Sequence, residues 1–76
     1  MAKINLRQLA KNKPAIISSI KAKGELGRRI REMGLVPGKE ITVQRRAPLY
    51  DPVSLRIMGF TLSLRNSEAD YIEVEV

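Results

Sequence analysis

The strongest constraint on the fold is a series of short segments in which apolar and polar residues alternate. Strict alternation over a few residues is typical of β-strands with one buried face. Gly59 separates two of these segments, which predicts a tight hairpin or a strand bent by a glycine bulge. Another strand is expected over residues 14–23. The apolar positions are Ile41 and Val43; Val53, Leu55 and Ile57; Phe60, Leu62 and Leu64; and Ile72, Val74 and Val76, all expected to point inward.

The period changes in one segment only, residues 24–34. Leu26, Ile30 and Met33 are spaced i, i+4 and i+7, which predicts one apolar stripe of a short helix. Gly27 weakens such a helix by about 1 kcal/mol relative to alanine. Its presence indicates a frayed first turn or a close approach of another backbone. Residues 4–10 are expected to form a short turn or a single helical turn.

Glycine and proline mark the connections between these elements. Pro37-Gly38 fits a type II turn, because proline presets the first central residue and glycine accepts the positive φ of the second. Residues 47–52, APLYDP, are expected to form a tight corner, since proline and aspartate are enriched in turns. The residues assigned to structural turns are Gly34, Pro37, Gly38, Pro48, Asp51, Pro52 and Gly59.

These elements predict one domain, residues 1–76, in the mainly β class. A chain of this length buries only about 60% of the surface that its unfolded form exposes. The expected fold is a small antiparallel β-barrel of about five strands, with one short α-helix between the first and second strands. Closure into a barrel would remove the unpaired strand edges that cause aggregation.

The composition argues against catalysis. The sequence contains no cysteine and no histidine, which removes the common nucleophile, general base and transition-metal ligands. No glycine loop that could cradle a phosphate is present. Asp51, Glu68 and Asp70 are separated acids without recognisable ligand spacing. We therefore expect no enzyme activity and no cofactor.

Charge and hydropathy bear on location and partners. Residues 1–46 carry twelve Lys or Arg and three Glu, whereas residues 47–76 carry two Arg and five acidic residues. This asymmetry is compatible with a nucleic-acid surface, an acidic partner or lipid heads, or pairing within the fold. No stretch approaches the roughly 18 apolar residues of a membrane span, and residues 1–13 do not resemble a signal peptide. A cytoplasmic protein is expected.

The shortage of aromatic residues argues against two ligands that small barrels bind, proline-rich peptides and RNA. ALYDP, with a proline inserted, is close to the ALYDY signature of peptide-binding SH3 domains, but that family needs an aromatic-lined groove. This sequence has no tryptophan and only Tyr50, Phe60 and Tyr71. A basic RNA-binding barrel remains the alternative, supported by the positive charge and weakened by the lack of stacking residues.

A different resemblance covers the whole chain. The matching motifs are MGLVPG at 33–38, RAPLYDPV at 46–53, Gly59, LSLR at 62–65, EA at 68–69 and IEV at 72–74. With these motifs the sequence resembles the ferrous iron transport protein A (FeoA) family of small SH3-like domains. Tyr50 departs from the family pattern, which usually has glycine there.

The resemblance implies an accessory or regulatory role in ferrous iron uptake. The implied partner is the FeoB membrane transporter with its cytosolic GTPase domain, and association with the membrane would occur only through that partner. Weak binding of a divalent metal such as Fe(II) is implied by the resemblance alone.

The candidate partner-binding residues are Leu35, Val36, Leu49, Tyr50, Arg28 and Arg29. We expect one of Leu35 and Val36 to be core and the other a contact residue. The two arginines are interpreted either as a solvated helix face or as a patch for an acidic surface. Leu49 and Tyr50 would form the tip of the APLYDP corner, close to the GLVPG turn.

Overall fold

The computed structural model of the chain describes residues 2–46 and 52–76. Strands dominate, as the alternating segments predict. The elements are β1 (Lys3–Asn5), a 3₁₀ turn (Leu6–Gln8), β2 (Pro14–Ile20), α1 (Gly24–Glu32), β3 (Glu40–Arg46), β4 (Val53–Ile57), β5 (Phe60–Leu64), α2 (Asn66–Ala69) and β6 (Ile72–Glu75).

All paired strands are antiparallel and belong to one six-stranded sheet with the order β1-β6-β2-β3-β4-β5. Within residues 2–46 and 52–76, no pairing joins β1 to β5, so the sheet is not closed. The predicted class is therefore right, while the five-stranded closed barrel is wrong in its strand count and its closure. The helix lies between the second and third strands.

The extra strand explains the shifted position of the helix. β1 has only three residues, and it pairs with the last strand through Lys3↔Glu75 and Ile4↔Val74. So short a strand has no alternation to detect, and its partner lies at the other end of the chain. The helical turn expected nearby is the 3₁₀ turn at Leu6–Gln8.

The core lies on the inner face of the sheet, covered by α1 and the first turn. Cross-strand neighbours such as Ile41↔Ile57 and Val43↔Leu55 share this face. The fully buried large side chains are Leu6, Leu9, Ile17, Ile30, Leu35, Ile41, Val43, Val53, Leu55, Ile57, Leu64 and Ile72. Helix α1 packs closely against the preceding segment at Gly27. A Cβ at this position would lie 2.5 Å from the Ala22 carbonyl oxygen, so only glycine fits without a shift.

Phe60 differs from its prediction as a core residue. It lies opposite Ile57 and so shares the inner face, yet it is 48% exposed whereas Ile57 is buried. The difference has a simple cause. β4 has a neighbour on both sides, whereas β5 is the last strand of the sheet. The alternation of apolar residues shows which face of the sheet a side chain lies on, but not whether another element covers that side chain.

None of the helices in the described ranges has the length and apolar character needed to cross a bilayer.

Candidate partner-binding surface

The β4–β5 hairpin carries an exposed apolar surface. Met58 and Gly59 form its two-residue turn, and both have positive φ, 50° and 86°, the geometry of a type I′ turn. This turn presents Met58 to solvent with 69% of its surface exposed, two residues before the half-exposed Phe60. An aromatic and a methionine are the side chains enriched at protein interfaces.

The GLVPG turn adjoins this hairpin. A Cβ on Gly34 would lie 4.0 Å from Phe60 Cζ, so the ring reaches over the turn that ends α1. Val36 lies two residues further in the same turn and is half-buried. We call Val36, Met58 and Phe60 the hairpin patch. It combines two segments that are more than 20 residues apart in the sequence.

Leu35 and Val36 have different environments. Leu35 is fully buried in the core, and its N–H donates to the Ile30 carbonyl at 3.3 Å. Its side chain therefore has no surface for a partner in this conformation. Val36 keeps an accessible side, and its carbonyl accepts from Lys39 N at 3.3 Å across the turn. Gly38 has φ +93°, the sign that a type II turn requires at its third residue.

Arg29, a candidate contact residue, has a side chain that is 64% exposed, but its guanidinium is held by an acidic side chain of the same fold. Its Nη2 donates to Glu68 Oε2 at 2.6 Å, and the Glu68 side chain is only 10% exposed. The other carboxylate oxygen, Oε1, accepts from the Arg65 backbone N–H at 3.0 Å and so caps α2. One carboxylate therefore joins α1 to α2, and we call Arg29, Glu68 and Arg65 the helix tie.

Arg28 is free of this constraint. It pairs with Glu25 on the same helix at 2.9 Å, and the two side chains are 61% and 81% exposed. Such a pair contributes only about 0.3–0.5 kcal/mol. Arg28 therefore remains available to an acidic surface, as expected of a solvated helix face.

The APLYDP corner falls mostly outside the described residues. Pro48, Leu49, Tyr50 and Asp51 all lie there, while Pro52 is an exposed bend that leads into β4. The contact role of Leu49 and Tyr50 stays a prediction. Within the described ranges, Phe60 is the aromatic side chain that approaches the GLVPG turn.

The acidic residues do not assemble into a metal site. Glu68 belongs to the helix tie, and Asp70 pairs with Arg7 at 3.2 Å. No group of three acidic side chains that could hold a metal ion occurs in residues 2–46 and 52–76. The described ranges contain no pocket either. The chemistry offered by the described part of the chain is that of surface contact.

The fold and this surface define the class of protein: a small SH3-like domain with exposed apolar and basic surfaces. Its residues 4–76 match the FeoA domain model. The chain belongs to the FeoA family, whose members are small accessory domains in ferrous iron transport.

Three relatives place the chain within this family. A fusion of Fe(2+) transport protein A with the Fe(2+) transporter FeoB from Porphyromonas gingivalis is 45% identical over 73 residues. The match covers 96% of this chain and only 9% of the fusion protein, so the chain corresponds to a small part of that relative.

The other two relatives are solved structures. The FeoA-like protein of Clostridium acetobutylicum is 38% identical with a TM-score of 0.90, covering 100% of this chain and 88% of the other. The zinc complex of FeoA from Stenotrophomonas maltophilia, described as a prokaryotic SH3 domain protein, is 28% identical with a TM-score of 0.82. It covers 95% of this chain and 89% of that one.

Met58 and Phe60 were not among the candidate partner-binding residues, and Phe60 was instead predicted to point inward. One signal could have found them. Segments 53–57 and 60–64 form a hairpin, and β5 is followed by α2 instead of a second hairpin, so only β4 is joined to β5 by a tight turn. An aromatic residue at the start of such a strand is a candidate for exposure.

Proposed function

We propose that this protein is a cytoplasmic accessory subunit of ferrous iron uptake that regulates a FeoB-type transporter by binding to it. The observation that carries the proposal is the relative from Porphyromonas gingivalis, in which a 45% identical domain is part of one polypeptide with FeoB. Fusion keeps two partners at high effective concentration. Where the two are separate chains, recognition depends instead on an exposed contact surface.

The hairpin patch is the surface proposed for this contact. Met58 and Phe60 are large apolar side chains left exposed on a domain of only 76 residues, and contiguous exposed apolar surface commonly marks an interaction site. Arg28, with its weak surface pair, would add charge-dependent attraction to an acidic region of the cytosolic GTPase domain. Leu49 and Tyr50 are predicted to belong to the same surface.

In this role the protein acts without catalysis and without a resident cofactor. Ferrous iron is the cargo of the transporter. Glu68 and Asp70 are engaged in ion pairs with Arg29 and Arg7, which supports a structural role for these acids. The purified chain is expected to hydrolyse neither GTP nor ATP. Turnover that follows the protein through every purification step would contradict this part of the proposal.

The experiment uses a host that lacks the chromosomal copy of this gene and expresses a tagged FeoB-type transporter. Uptake of radioactive Fe(II) and retention of the chain on the purified transporter are measured with the wild type, with Met58→Ser plus Phe60→Ser, and with Ser54→Lys. Ser54 lies on the opposite face of the sheet from Leu55 and serves as the control. Circular dichroism verifies that each variant is folded.

We expect the double variant to lose retention and uptake together, while the Ser54→Lys control behaves as the wild type. A folded double variant with full retention would mean that docking occurs elsewhere on the surface. If the wild-type chain is not retained at all, the proposed function fails. Copurification of RNA that is lost steeply with salt would instead favour the nucleic-acid alternative.

A further inference from the structure

Strand β5 is an open edge that lacks the usual protection. It occupies one end of the sheet, and its other side pairs with no described strand. Natural edge strands are commonly protected by charged residues, proline or a bulge. The sequence of β5, FTLSL, contains no charge and no proline, and its pairing with β4 is regular from Val53↔Leu64 to Ile57↔Phe60.

The hairpin turn determines which backbone groups face outward. In a two-residue hairpin the pair that flanks the turn exchanges backbone hydrogen bonds, and such pairs alternate along the ladder. Ile57 and Phe60 are that flanking pair. The N–H and C=O of Phe60, Leu62 and Leu64 therefore point to β4. Those of Thr61 and Ser63 point away from it, and no backbone hydrogen bond joins them to a described residue.

This edge is complementary to itself. In an antiparallel pair related by a two-fold axis at Leu62, Thr61 of each copy lies opposite Ser63 of the other, and the outward groups of both are satisfied. On the inner face Leu62 then meets Leu62 of the second copy, and Phe60 lies opposite its Leu64. Leu62 is only half-buried and Phe60 is half-exposed in the single chain, so both gain cover.

We propose that two copies of this chain associate through β5, forming one continuous sheet across a two-fold axis. The partner at this edge is a second copy of the chain. The register that satisfies the outward backbone groups also places apolar residues opposite apolar residues and hydroxyls opposite hydroxyls. Each copy carries a net charge of +6, so repulsion opposes pairing at low ionic strength. The interface is short, and association is therefore weak and rises with salt.

If the hairpin patch docks on the transporter, as proposed above, pairing through β5 has a consequence for that contact. Phe60 belongs to the hairpin patch, so a β5–β5 pair covers a residue needed for docking. Self-association and docking on the transporter then exclude each other. The self-association test below is made without the transporter, so its failure is distinguishable from failure of the proposed function.

Sedimentation equilibrium on the full chain, from micromolar to millimolar concentration at low and moderate salt, measures the association. Ser63→Lys introduces a charge at the edge, and Ser54→Lys places the same charge directly opposite on β4, one strand further in. Ser63→Pro removes an outward N–H without removing a bond to β4. We expect the wild type and Ser54→Lys to dimerise, and both Ser63 variants to dimerise at least about tenfold more weakly.

Amide hydrogen exchange identifies the edge involved. The Thr61 and Ser63 amides are expected to become protected as concentration rises, while protection of Phe60 and Leu62 is present in the monomer. A wild-type chain that stays monomeric at millimolar concentration overturns the proposal. So does a dimer that persists in Ser63→Pro, or one that leaves the Thr61 and Ser63 amides unprotected.

Discussion

The helix tie and the hairpin patch contrast in chemistry and in role. The tie is charged, with Arg29 and Glu68 joined at 2.6 Å and the carboxylate 10% exposed. The patch is apolar, yet Met58 and Phe60 are 69% and 48% exposed. From residue type alone, the carboxylate would be expected at the surface and the methionine and phenylalanine in the core. The difference shows that the number of neighbours around an element, more than the type of residue, determines which side chains remain for a partner.

The largest expected effect concerns the GLVPG turn, where core and contact residues adjoin. Leu35→Ala removes a fully buried side chain and is expected to lower the free energy of unfolding by about 2–5 kcal/mol. Val36→Ala, in the half-buried neighbour, should cost less than about 1.5 kcal/mol. Urea denaturation of both variants measures the difference. Equal losses would mean that Leu35 and Val36 are covered to the same degree.

The same turn offers a second test through its backbone. Gly38 has φ +93°, and a Cβ added there would have no atom within 4 Å, so the backbone conformation is the main source of strain in a substitution. Gly38→Val should therefore destabilise the domain by more than about 1 kcal/mol, because a β-branched residue is forced into a positive φ. An unchanged thermal midpoint would exclude the type II turn.

The helix tie is tested by comparing neighbouring arginines. Arg29→Ala leaves the largely buried Glu68 without its charged partner and should cost about 1–2 kcal/mol. Arg28→Ala breaks a pair exposed to solvent and should cost less than about 0.5 kcal/mol. Both losses are read from urea midpoints at one salt concentration. If the two variants have the same stability, the Arg29–Glu68 pair contributes no more than the exposed Arg28–Glu25 pair and the contrast between the two regions fails.

A small effect on stability is also expected in the hairpin patch. Phe60→Ser replaces a half-exposed ring on an edge strand and should cost less than about 1 kcal/mol, well below the loss of a core aromatic. Thermal denaturation of this variant measures it. A loss comparable to that of Leu35→Ala would show that Phe60 is a core residue after all, as the alternation of β5 alone predicts.

The sequence predicts the interior strands well because their signals are local. Val53, Leu55 and Ile57 alternate and are buried, since β3 and β5 flank their strand on either side. The family motifs at 33–38 and 62–74 lead to the same fold, and membership of the FeoA family is confirmed by the match to residues 4–76.

The features that the sequence could not predict depend on distant contacts. β1 is defined by its pairing with β6 at the other end of the chain, and without it the strand count and the helix position are shifted. Arg29 and Glu68 are 39 residues apart, and nothing local marks them as a pair. The exposure of Phe60 depends on which strand ends the sheet, which is known only once all pairings are known.

The most direct test of the account measures binding to a FeoB-type transporter in lipid nanodiscs. Dissociation constants are compared for the wild type, for Arg28→Ala and for Met58→Ser plus Phe60→Ser, each at two salt concentrations. We predict that the patch variant binds at least about tenfold more weakly, a change of about 1.4 kcal/mol, at both salt concentrations. Arg28→Ala should weaken binding chiefly at low salt. A folded patch variant that binds as tightly as the wild type would contradict the claim that this apolar hairpin is the docking surface.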